Sequence, residues 1–445
     1  MPLSPETGKL GHYRCGGSRV CSYIISSIMT KFLAIAIASI ALLPGQQANQ
    51  SHWVATWSTA QPLARTPPPA IPPGPGRPGM ELMRTLNTRG FHDQTARMIV
   101  RTSIGGSRVR IRLSNSFGSA PVTVGAAHIA LRGKDSEILP DSDRVLAFNG
   151  KPGCMLGPGV VLLSDPVDLK IPVYGDVAVS LYFPGETGAV TSHNGLHTTY
   201  ISKAGDLTGQ AAIPDPLTTG AYYWLAGLEV LAPANTSTIV ALGDSITESF
   251  RSTPDTNRSW PAVLSERLLT NKATANVAVA NMGIGGNRLL REGTGASALA
   301  RFDSDVLAQP GAKWVIVLEG INDIGRGDTV PGEAVTAEEL IAADQQIIER
   351  AHEFGLKAIG GTLPPFEGAN YYRENGENIR EALNAWIRTS GAWDAVIDFE
   401  KATQDPADPK KLRAEFDPGD HLHLSDAGYK AMADAIDLKI FGRAR

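Results

Sequence analysis

Cysteine is scarce in this sequence: its 445 residues include three cysteines, which is too few for a framework of disulfides. An excess of charge of one sign is lacking too, because 41 lysines and arginines stand against 45 aspartates and glutamates. A protein that binds polyanions through its overall charge is basic, so nucleic acid is not expected as the main partner. With 42% hydrophobic and 19% charged residues, the composition is that of a folded chain rather than a disordered one.

Three short motifs of familiar enzyme classes are also absent. No Gly-x-Ser-x-Gly segment occurs, which argues against the α/β-hydrolase way of presenting a serine. No His-Glu-x-x-His segment occurs, so the usual helix-borne zinc site of metalloproteases is not expected. The glycine-rich run at residues 283–286 has Arg288 where a dinucleotide-binding loop needs its third glycine, and we therefore predict no dinucleotide.

The amino terminus has the pattern of an export signal. Residues 32–43 form a twelve-residue apolar stretch that follows Lys31 and ends at a Pro-Gly pair. This stretch is shorter than the ~20 residues of a membrane span and fits the core of a signal peptide. We predict a signal peptide over residues 1–48, with Met29 as an alternative start, and a secreted or periplasmic chain without a stable membrane anchor. The mature chain then keeps one cysteine, Cys154.

Residues 49–232 have the pattern of an all-β domain. Apolar residues alternate with others at 98–104 and 109–113, and the two runs flank Gly105-Gly106, which predicts a β-hairpin. Many further short strands and almost no helical period favour a β-sandwich or jelly-roll-like domain. The proline-rich run at residues 67–79 is predicted to be an extended surface loop.

Residues 233–445 have a different hydrophobic pattern, that of an α/β domain. Short apolar runs suited to strands buried on both faces alternate with helical patterns, and these runs are 239–242, 277–280, 314–318, 358–361 and 396–399. Such alternation predicts right-handed crossovers and a parallel sheet covered by helices. Ligands of these sheets bind at the carboxyl ends of the strands, which is where functional residues are expected.

Polar residues stand directly after these predicted strands. Ser245 follows the first strand within Gly-Asp-Ser, and a glycine-rich segment containing Gly286 follows the second. Asn322 follows the third, while Asp420 and His423 stand just before the last helical pattern. Because the carboxyl ends of parallel strands share one edge of the sheet, we expect these five residues to lie close together.

These residues are the groups that acyl transfer requires. A serine hydroxyl is a weak nucleophile and needs a base; His423 can take its proton, while Asp420 can fix the imidazole tautomer and offset its charge. The backbone N–H groups of Ser245 and Gly286 and the side-chain amide of Asn322 can stabilise the oxyanion. Activity should fall on acidification, because His423 can act as a base only when it is neutral.

The four segments around these residues resemble the four blocks of the SGNH (GDSL-type) hydrolase family, in the order and at a spacing typical of that family over residues 236–445. The resemblance implies a flavodoxin-like three-layer α/β fold and a serine esterase mechanism without a metal or organic cofactor. Carried over residue by residue, it makes Ser245 the nucleophile, His423 the base and Asp420 the orienting acid, with Gly286 and Asn322 as oxyanion donors. With its β-rich first half, the mature chain is similar to secreted bacterial GDSL lipases/acylhydrolases that have an amino-terminal β-domain.

The predicted function is that of an exported serine carboxylic-ester hydrolase that acts through an acyl-enzyme. Its partner is a small-molecule or polysaccharide ester, with short acyl groups such as acetyl on carbohydrates as the first expectation. Hydrolysis of lipid or aryl esters is the alternative, and a non-catalytic sugar-binding protein on the same scaffold is a third. Asp420, His421 and His423 also have a spacing that metal ligands can adopt, but without a further ligand cluster we expect no metal.

Four other polar residues have roles that the sequence leaves open or predicts to be minor. His193 and His197 are four residues apart in a stretch that resembles a loop, and both are predicted to be surface residues. Arg288 and Glu319 lie near the predicted site, where they either touch the substrate or pair with other charges.

Overall fold

The structure is a computed structural model, which describes residues 51–63 and 80–442. The described residues belong to one compact unit, Ser51–Arg445. The signal peptide predicted over residues 1–48 and the loop predicted at 67–79 lie outside the described residues. No helix within the described ranges is both long enough and apolar enough to cross a membrane.

Strands dominate the first half of the chain and alternate with helices in the second. The strands are β1 (Ser51–Ser58), β2 (Gln94–Arg101), β3 (Gly106–Ser114), β4 (Val122–Val124), β5 (Ala126–Leu131), β6 (Arg144–Val145), β7 (Cys154–Leu156), β8 (Val161–Leu163), β9 (Val167–Ile171), β10 (Asp176–Phe183), β11 (Ser192–Ile201), β12 (Leu217–Tyr223), β13 (Leu225–Pro233), β14 (Ser237–Gly243), β15 (Val277–Gly283), β16 (Ala312–Leu318), β17 (Lys357–Gly361) and β18 (Ala395–Ile397). The α-helices are α1 (Met80–Arg89), α2 (Ser245–Glu248), α3 (Trp260–Thr270), α4 (Ala298–Phe302), α5 (Ile321–Gly327), α6 (Ala337–Glu353), α7 (Glu374–Thr389), α8 (Phe399–Thr403) and α9 (Asp426–Asp434).

Two antiparallel sheets make up most of the first half. Sheet A has the order β1-β13-β3-β8, with β9 also paired to β3, and sheet B has the order β12-β11-β2-β10-β5-β6. Val54 and Ile111 of sheet A share one buried hydrophobic cluster with Met98 and Val179 of sheet B. The apolar residues that alternate along these strands therefore pack in one hydrophobic core between the two sheets.

The hairpin predicted around Gly105-Gly106 is wrong. Strand β2 belongs to sheet B and β3 to sheet A, so the chain crosses from one sheet to the other where a tight turn was expected. The glycines serve close packing instead: a Cβ on Gly105 would lie 2.7 Å from the carbonyl oxygen of Ile171, and one on Gly106 would lie 2.8 Å from Cβ of Val230. A glycine pair between alternating runs thus indicates either a turn or a close approach, and sequence does not separate the two.

Sheet C is parallel and lies in the second half, with the order β15-β14-β16-β17-β18. Each predicted apolar run of this half falls on one of these strands, although the last strand ends two residues earlier than its run. All seven residues of β14 are buried, as a central strand covered on both faces requires. Since β14 pairs with β15 on one side and β16 on the other, its carboxyl end is the point where ligands of such sheets bind.

The two halves are joined by buried contacts. Strand β1 of sheet A packs beside β15 of sheet C, and the backbone N–H of Ala55 donates to the carbonyl of Pro310 at 2.9 Å. Ala60 of the first half belongs to the hydrophobic cluster around sheet C, while Ala278 of β15 belongs to the cluster of sheets A and B. The amide of Val279 completes the junction by donating to Ser103 Oγ at 3.2 Å.

The prediction that His193 and His197 are surface residues is wrong. Both lie on β11, with 5% and 6% of their surface exposed. The glycine and asparagine residues of this segment weaken its strand pattern, whereas pairing with β12 on both sides of an irregularity between Asn194 and Thr199 holds it extended.

Candidate active site

Ser245 lies at the carboxyl end of the central strand of sheet C. Strand β14 ends at Gly243, Asp244 caps the short helix α2 by accepting a hydrogen bond from the amide of Ile246 at 2.8 Å, and Ser245 is the first residue of that helix. Gly243 has no room for a side chain, because a Cβ there would lie 2.2 Å from Oγ1 of Thr247. This tight strand-to-helix junction places the Ser245 hydroxyl at the edge where the other predicted residues converge.

Ser245, His423 and Asp420 form a continuous hydrogen-bonded chain. Nε2 of His423 lies 2.9 Å from Oγ of Ser245, and Nδ1 lies 3.0 Å from Oδ2 of Asp420. When the imidazole is neutral and Nε2 accepts the serine proton, Nδ1 must carry the hydrogen and donate it to Asp420. The other oxygen of Asp420 accepts the backbone N–H of His423 at 3.0 Å, which fixes the carboxylate relative to the ring.

The surroundings of Asp420 keep this carboxylate ionised. Its partial burial alone would raise its pKa, but hydrogen bonds from His423 and from Nε of Arg251 outweigh that effect and hold the pKa well below the usual range. Arg251 has a positive φ of 76°, and the neighbouring Phe250 places its ring 4.7 Å from the ring of His423. The strained segment after α2 thus supports both the acid and the imidazole, and no sequence motif marks it.

The glycine-rich segment after β15 forms a tight turn beside α2. The amide of Asn287 donates to the carbonyl of Ile284 at 2.9 Å, and Gly286 at the third position of this turn has a φ of 73°, a conformation that favours glycine. Gly285 has an ordinary φ but faces Glu248, whose Oε2 would lie 2.8 Å from a Cβ there. Glycine is therefore favoured at Gly286 by the backbone turn, whereas a side chain at Gly285 would displace the carboxylate of Glu248.

Asn322 connects this turn to Asp244. It is the second residue of α5, and its Nδ2 donates to the carbonyl of Asn287 at 2.9 Å and lies 3.4 Å from Oδ2 of Asp244. The hydroxyl of Tyr371 donates to Oδ1 of Asn322 at 3.4 Å, so the amide is oriented from both ends. Tyr371 gave no signal in the sequence, because it comes from a loop outside the four blocks.

Arg301 is a buried residue that sequence reasoning missed. From α4 its guanidinium donates to the carbonyl of Gly243 at 2.8 Å, to the carbonyl of Met282 at 2.6 Å and to Oδ1 of Asn287 at 2.8 Å. These three acceptors lie at the ends of β14 and β15 and in the glycine-rich turn. One side chain therefore sets the spacing between the strand that precedes Ser245 and the turn that contains Gly286.

Arg288 and Glu319, the two charges whose role the sequence leaves open, have different surroundings. Nη1 of Arg288 pairs with Oε2 of Glu333 at 2.7 Å, so Arg288 belongs to an ion pair. Glu319 is fully buried, and its Oε2 lies 3.8 Å from Nη2 of Arg301. Burial, followed by the neighbouring carboxylate of Asp244, raises the pKa of Glu319 well above the usual value.

The raised pKa of Glu319 gives a testable dependence of stability on pH. A carboxyl group whose pKa is higher in the folded state binds its proton more tightly there, so it costs stability as the pH rises above the usual value near 4.5. We expect Glu319→Gln, which cannot ionise, to gain stability relative to the wild type over that window by about 1.4 kcal/mol per pH unit. Urea unfolding at several pH values measures this difference.

Glu381→Gln is the matched control, because it removes one glutamate charge from the exposed face of α7. A difference between Glu319→Gln and the wild type that stays constant with pH, or one that shrinks as the pH rises, would contradict the assigned direction.

The two histidines near the carboxyl terminus that could serve as metal ligands contact other side chains. Both ring nitrogens of His423 are engaged by Ser245 and Asp420, and Nδ1 of His421 lies 2.5 Å from Oδ2 of Asp417. Among the residues that the structure describes, no group of three or more histidine, cysteine, aspartate and glutamate side chains is placed to hold a metal ion.

Comparison with known protein families matches the part of the chain that contains these candidate residues. Residues 239–436 match the family model described as GDSL-like Lipase/Acylhydrolase. No curated protein matches the chain.

Several solved structures are similar to a little under half of this chain. A GDSL-like lipase from Bacteroides thetaiotaomicron is 19% identical over 46% of this chain and 88% of its own, with a TM-score of 0.35. The acetylxylan esterase Axe2 from Geobacillus stearothermophilus is 22% identical over 47% of this chain and 95% of its own, with a TM-score of 0.36. LAE5, an α/β hydrolase from the metagenome of Lake Arreo, Spain, is 21% identical over 46% of this chain and 94% of its own, with a TM-score of 0.36.

Proposed function

Residues 239–436 form a GDSL-like lipase/acylhydrolase domain that makes the chain a serine ester hydrolase, and from this premise we propose that it removes short acyl groups such as acetyl from carbohydrates or other small esters. The observation that carries the proposed mechanism is the hydrogen-bonded chain from Ser245 through His423 to Asp420. No organic cofactor has a place in the proposed reaction.

The proposed reaction has two halves. In the first, Nε2 of His423 takes the proton of Ser245 Oγ while the oxygen attacks the ester carbonyl, and the same proton then passes to the departing alcohol. In the second, water gives a proton to His423 and attacks the acyl-enzyme, after which the proton returns to Ser245 and the carboxylic acid leaves. Asp420 stays ionised throughout and stabilises the imidazolium.

The proposed oxyanion site consists of three donors. The backbone N–H groups of Ser245 and Gly286 and Nδ2 of Asn322 come from three consecutive strand ends of sheet C, where Arg301 ties the first two together. The second hydrogen of the Asn322 amide has only a long contact of 3.4 Å to Asp244, which leaves it available to donate to a developing negative charge.

We also propose the finer architecture that the sequence predicted. The strand order 2-1-3-4-5 of sheet C supports a flavodoxin-like arrangement, and the core shared by sheets A and B supports a β-sandwich. On this view residues 49–232 are the sandwich domain and residues 233–445 the catalytic domain.

Export remains a proposal that rests on residues 1–48. Determining the amino-terminal residue of the protein recovered from the culture medium and the periplasm tests it: we expect processing near residue 48, and an intact amino terminus in the cytoplasm would refute it.

Polar side chains beside His423 favour a hydroxylated alcohol over a hydrocarbon chain as the leaving group. The partly exposed Arg251 and Asp420 stand beside the ring of His423, with side-chain exposures of 40% and 26%. The ring of Phe250 on the same side is the one observation that favours aryl esters as a second candidate.

A panel of esters separates the two candidates. We expect kcat/KM to fall by about tenfold or more from p-nitrophenyl acetate to p-nitrophenyl octanoate, since a short acyl site excludes extra methylenes. We also expect acetate release from acetylated xylo-oligosaccharides to exceed that from phenyl acetate. Higher activity on octanoate would favour a lipase, and phenyl acetate as the best substrate would favour an arylesterase.

A further inference from the structure

Residues 249–258 connect α2 to α3 along an unusual backbone path. The φ angle is positive at four residues that are not glycine, with values of 70° at Ser249, 76° at Arg251, 63° at Asp255 and 56° at Asn257. Asparagine and aspartate tolerate this conformation better than other residues do, so the strain is greatest at Arg251 and Ser249. Most of the segment is exposed, and a few specific contacts therefore have to hold it in this path.

Strand β11 in the first half of the chain makes the contacts at the far end of the segment. The carboxylate of Asp255 accepts hydrogen bonds from the backbone N–H and from the hydroxyl of Thr198, both at 2.7 Å. The backbone N–H of Asp255 donates to the carbonyl of Leu196 at 2.8 Å. Nε2 of His197 lies 2.8 Å from Oδ1 of Asn257. Successive residues of β11 thus hold both left-handed positions at this end.

An irregularity in β11 makes these groups available. Asn194 and Thr199 of β11 pair with Ala221 and Thr219 of β12, so β11 carries extra residues at 195–198. A strand with extra residues loses part of its ladder and bends, and such irregularities often re-aim groups beside a functional site. The backbone groups that bond to the segment after α2 lie within this unpaired stretch of β11.

The near end of the segment contacts the proposed catalytic residues. Nε of Arg251 donates to Oδ2 of Asp420 at 2.9 Å, and this is the oxygen that lies 3.0 Å from Nδ1 of His423. The hydroxyl of Tyr429 donates to the carbonyl of Phe250 at 2.6 Å, and the ring of Phe250 lies beside that of His423. Arg251 therefore helps to fix the oxygen that orients the imidazole.

We propose that Asp255 is a positioning residue for ester hydrolysis, because its bonds to β11 hold the segment in the conformation that places Arg251 on Asp420. The two ends are close in sequence, and between them the backbone N–H of Thr253 donates to Oδ1 of Asp426 at 2.8 Å. The inference rests on the proposed function, from which Asp420 takes its role. It gives the first half of the chain a part in catalysis that requires no contact with the substrate.

Asp255→Gly in the full chain tests the proposal. Glycine adopts the φ of 63° without strain, so this variant removes the bonds to Thr198 and leaves the backbone conformation accessible. We expect kcat for p-nitrophenyl acetate to fall by about tenfold with little change in KM, because the imidazole is less well oriented while the substrate contacts remain. Asp255→Asn keeps an acceptor and tolerates the same φ, so it should retain most of the activity.

A double-mutant cycle shows whether the effect passes through Arg251. In the Arg251→Gln background, Asp255→Gly should lower kcat further by less than about twofold, since the contact that Asp255 protects is already gone. An equal loss in both backgrounds would contradict the proposal, and so would a wild-type kcat in Asp255→Gly.

Asp165→Gly is the matched control. Its carboxylate also accepts two hydrogen bonds in the first half of the chain, from the backbone N–H groups of Asn149 at 3.1 Å and Gly150 at 2.7 Å. We expect this variant to hydrolyse p-nitrophenyl acetate at the wild-type rate. A similar fall in kcat in Asp165→Gly and Asp255→Gly would mean that loosening the first half anywhere lowers activity, which would overturn the specific role of Asp255.

Hydrogen exchange followed by mass spectrometry separates this proposal from the proposed function. In Asp255→Gly we expect faster exchange in peptides from residues 249–258 and in peptides that contain His423, whose backbone N–H donates to Asp420 at 3.0 Å. Equal ester hydrolysis by the wild type and Ser245→Ala would refute the proposed function alone. Unchanged exchange around His423 in Asp255→Gly would overturn the positioning role, whether or not the chain hydrolyses esters.

Discussion

Ser245→Ala lowers kcat/KM for p-nitrophenyl acetate by about 10⁴–10⁶-fold if the hydroxyl is the group that attacks the ester. The remaining activity reflects binding and oxyanion stabilisation without a nucleophile. Because the side chain is small and, within the described part of the chain, its hydroxyl bonds only to His423, the fold should be retained, and thermal unfolding should show a midpoint close to that of the wild type. Steady-state kinetics and the unfolding curve are measured on the same preparation.

Ser304→Ala is the control for removing a serine hydroxyl elsewhere, since Ser304 is exposed beyond α4. It should leave the rate unchanged. Equal rates for the wild type and Ser245→Ala would remove the nucleophile assignment.

Asp420→Asn has the second-largest expected effect, about 10³–10⁴-fold in kcat with little change in KM. The amide keeps the shape of the carboxylate but can present an N–H to Nδ1 of His423, which moves the imidazole hydrogen to Nε2 and removes the base from Ser245. It also leaves Arg251 without its negative partner. Stopped-flow or steady-state assays of the two proteins under the same conditions measure the loss.

The chain contains a matched control for this substitution. Asp417 contacts Nδ1 of His421 at 2.5 Å, so Asp417→Asn alters a second aspartate–histidine pair three residues away. We expect it to keep wild-type activity within a factor of about two, because His421 has no contact with Ser245. Equal losses in the two variants would show that the segment is merely structural.

The sequence was sufficient to predict the parallel sheet and to predict that the candidate residues lie at one edge of it. Buried strands of a parallel sheet are continuous apolar runs, so β14 and β16 could be placed directly, and the residues after them followed from the rule on carboxyl ends. The family resemblance is confirmed by the match over residues 239–436. Ser245 and His423, 178 residues apart, are in hydrogen-bond contact.

The remaining features depend on contacts that no local pattern contains. Gly105-Gly106 reads equally as a turn or as a site of close packing, and the partner that decides it, Val230, is more than a hundred residues away. Arg301 stands in a short helix without a motif, although it binds three elements around the site. His193 is buried because β11 packs against the catalytic half, and a contact between two halves of a chain leaves no periodicity in either.

Covalent labelling with a fluorophosphonate, followed by peptide mass spectrometry, tests the central claim most directly. An activated serine displaces fluoride and keeps the phosphonyl group, so the wild type should carry one adduct on the peptide that contains Ser245 and lose its activity in proportion. His423→Ala, which lacks the base, should label far more slowly. An adduct on another residue, or complete inactivation with Ser245 unmodified, would contradict the account.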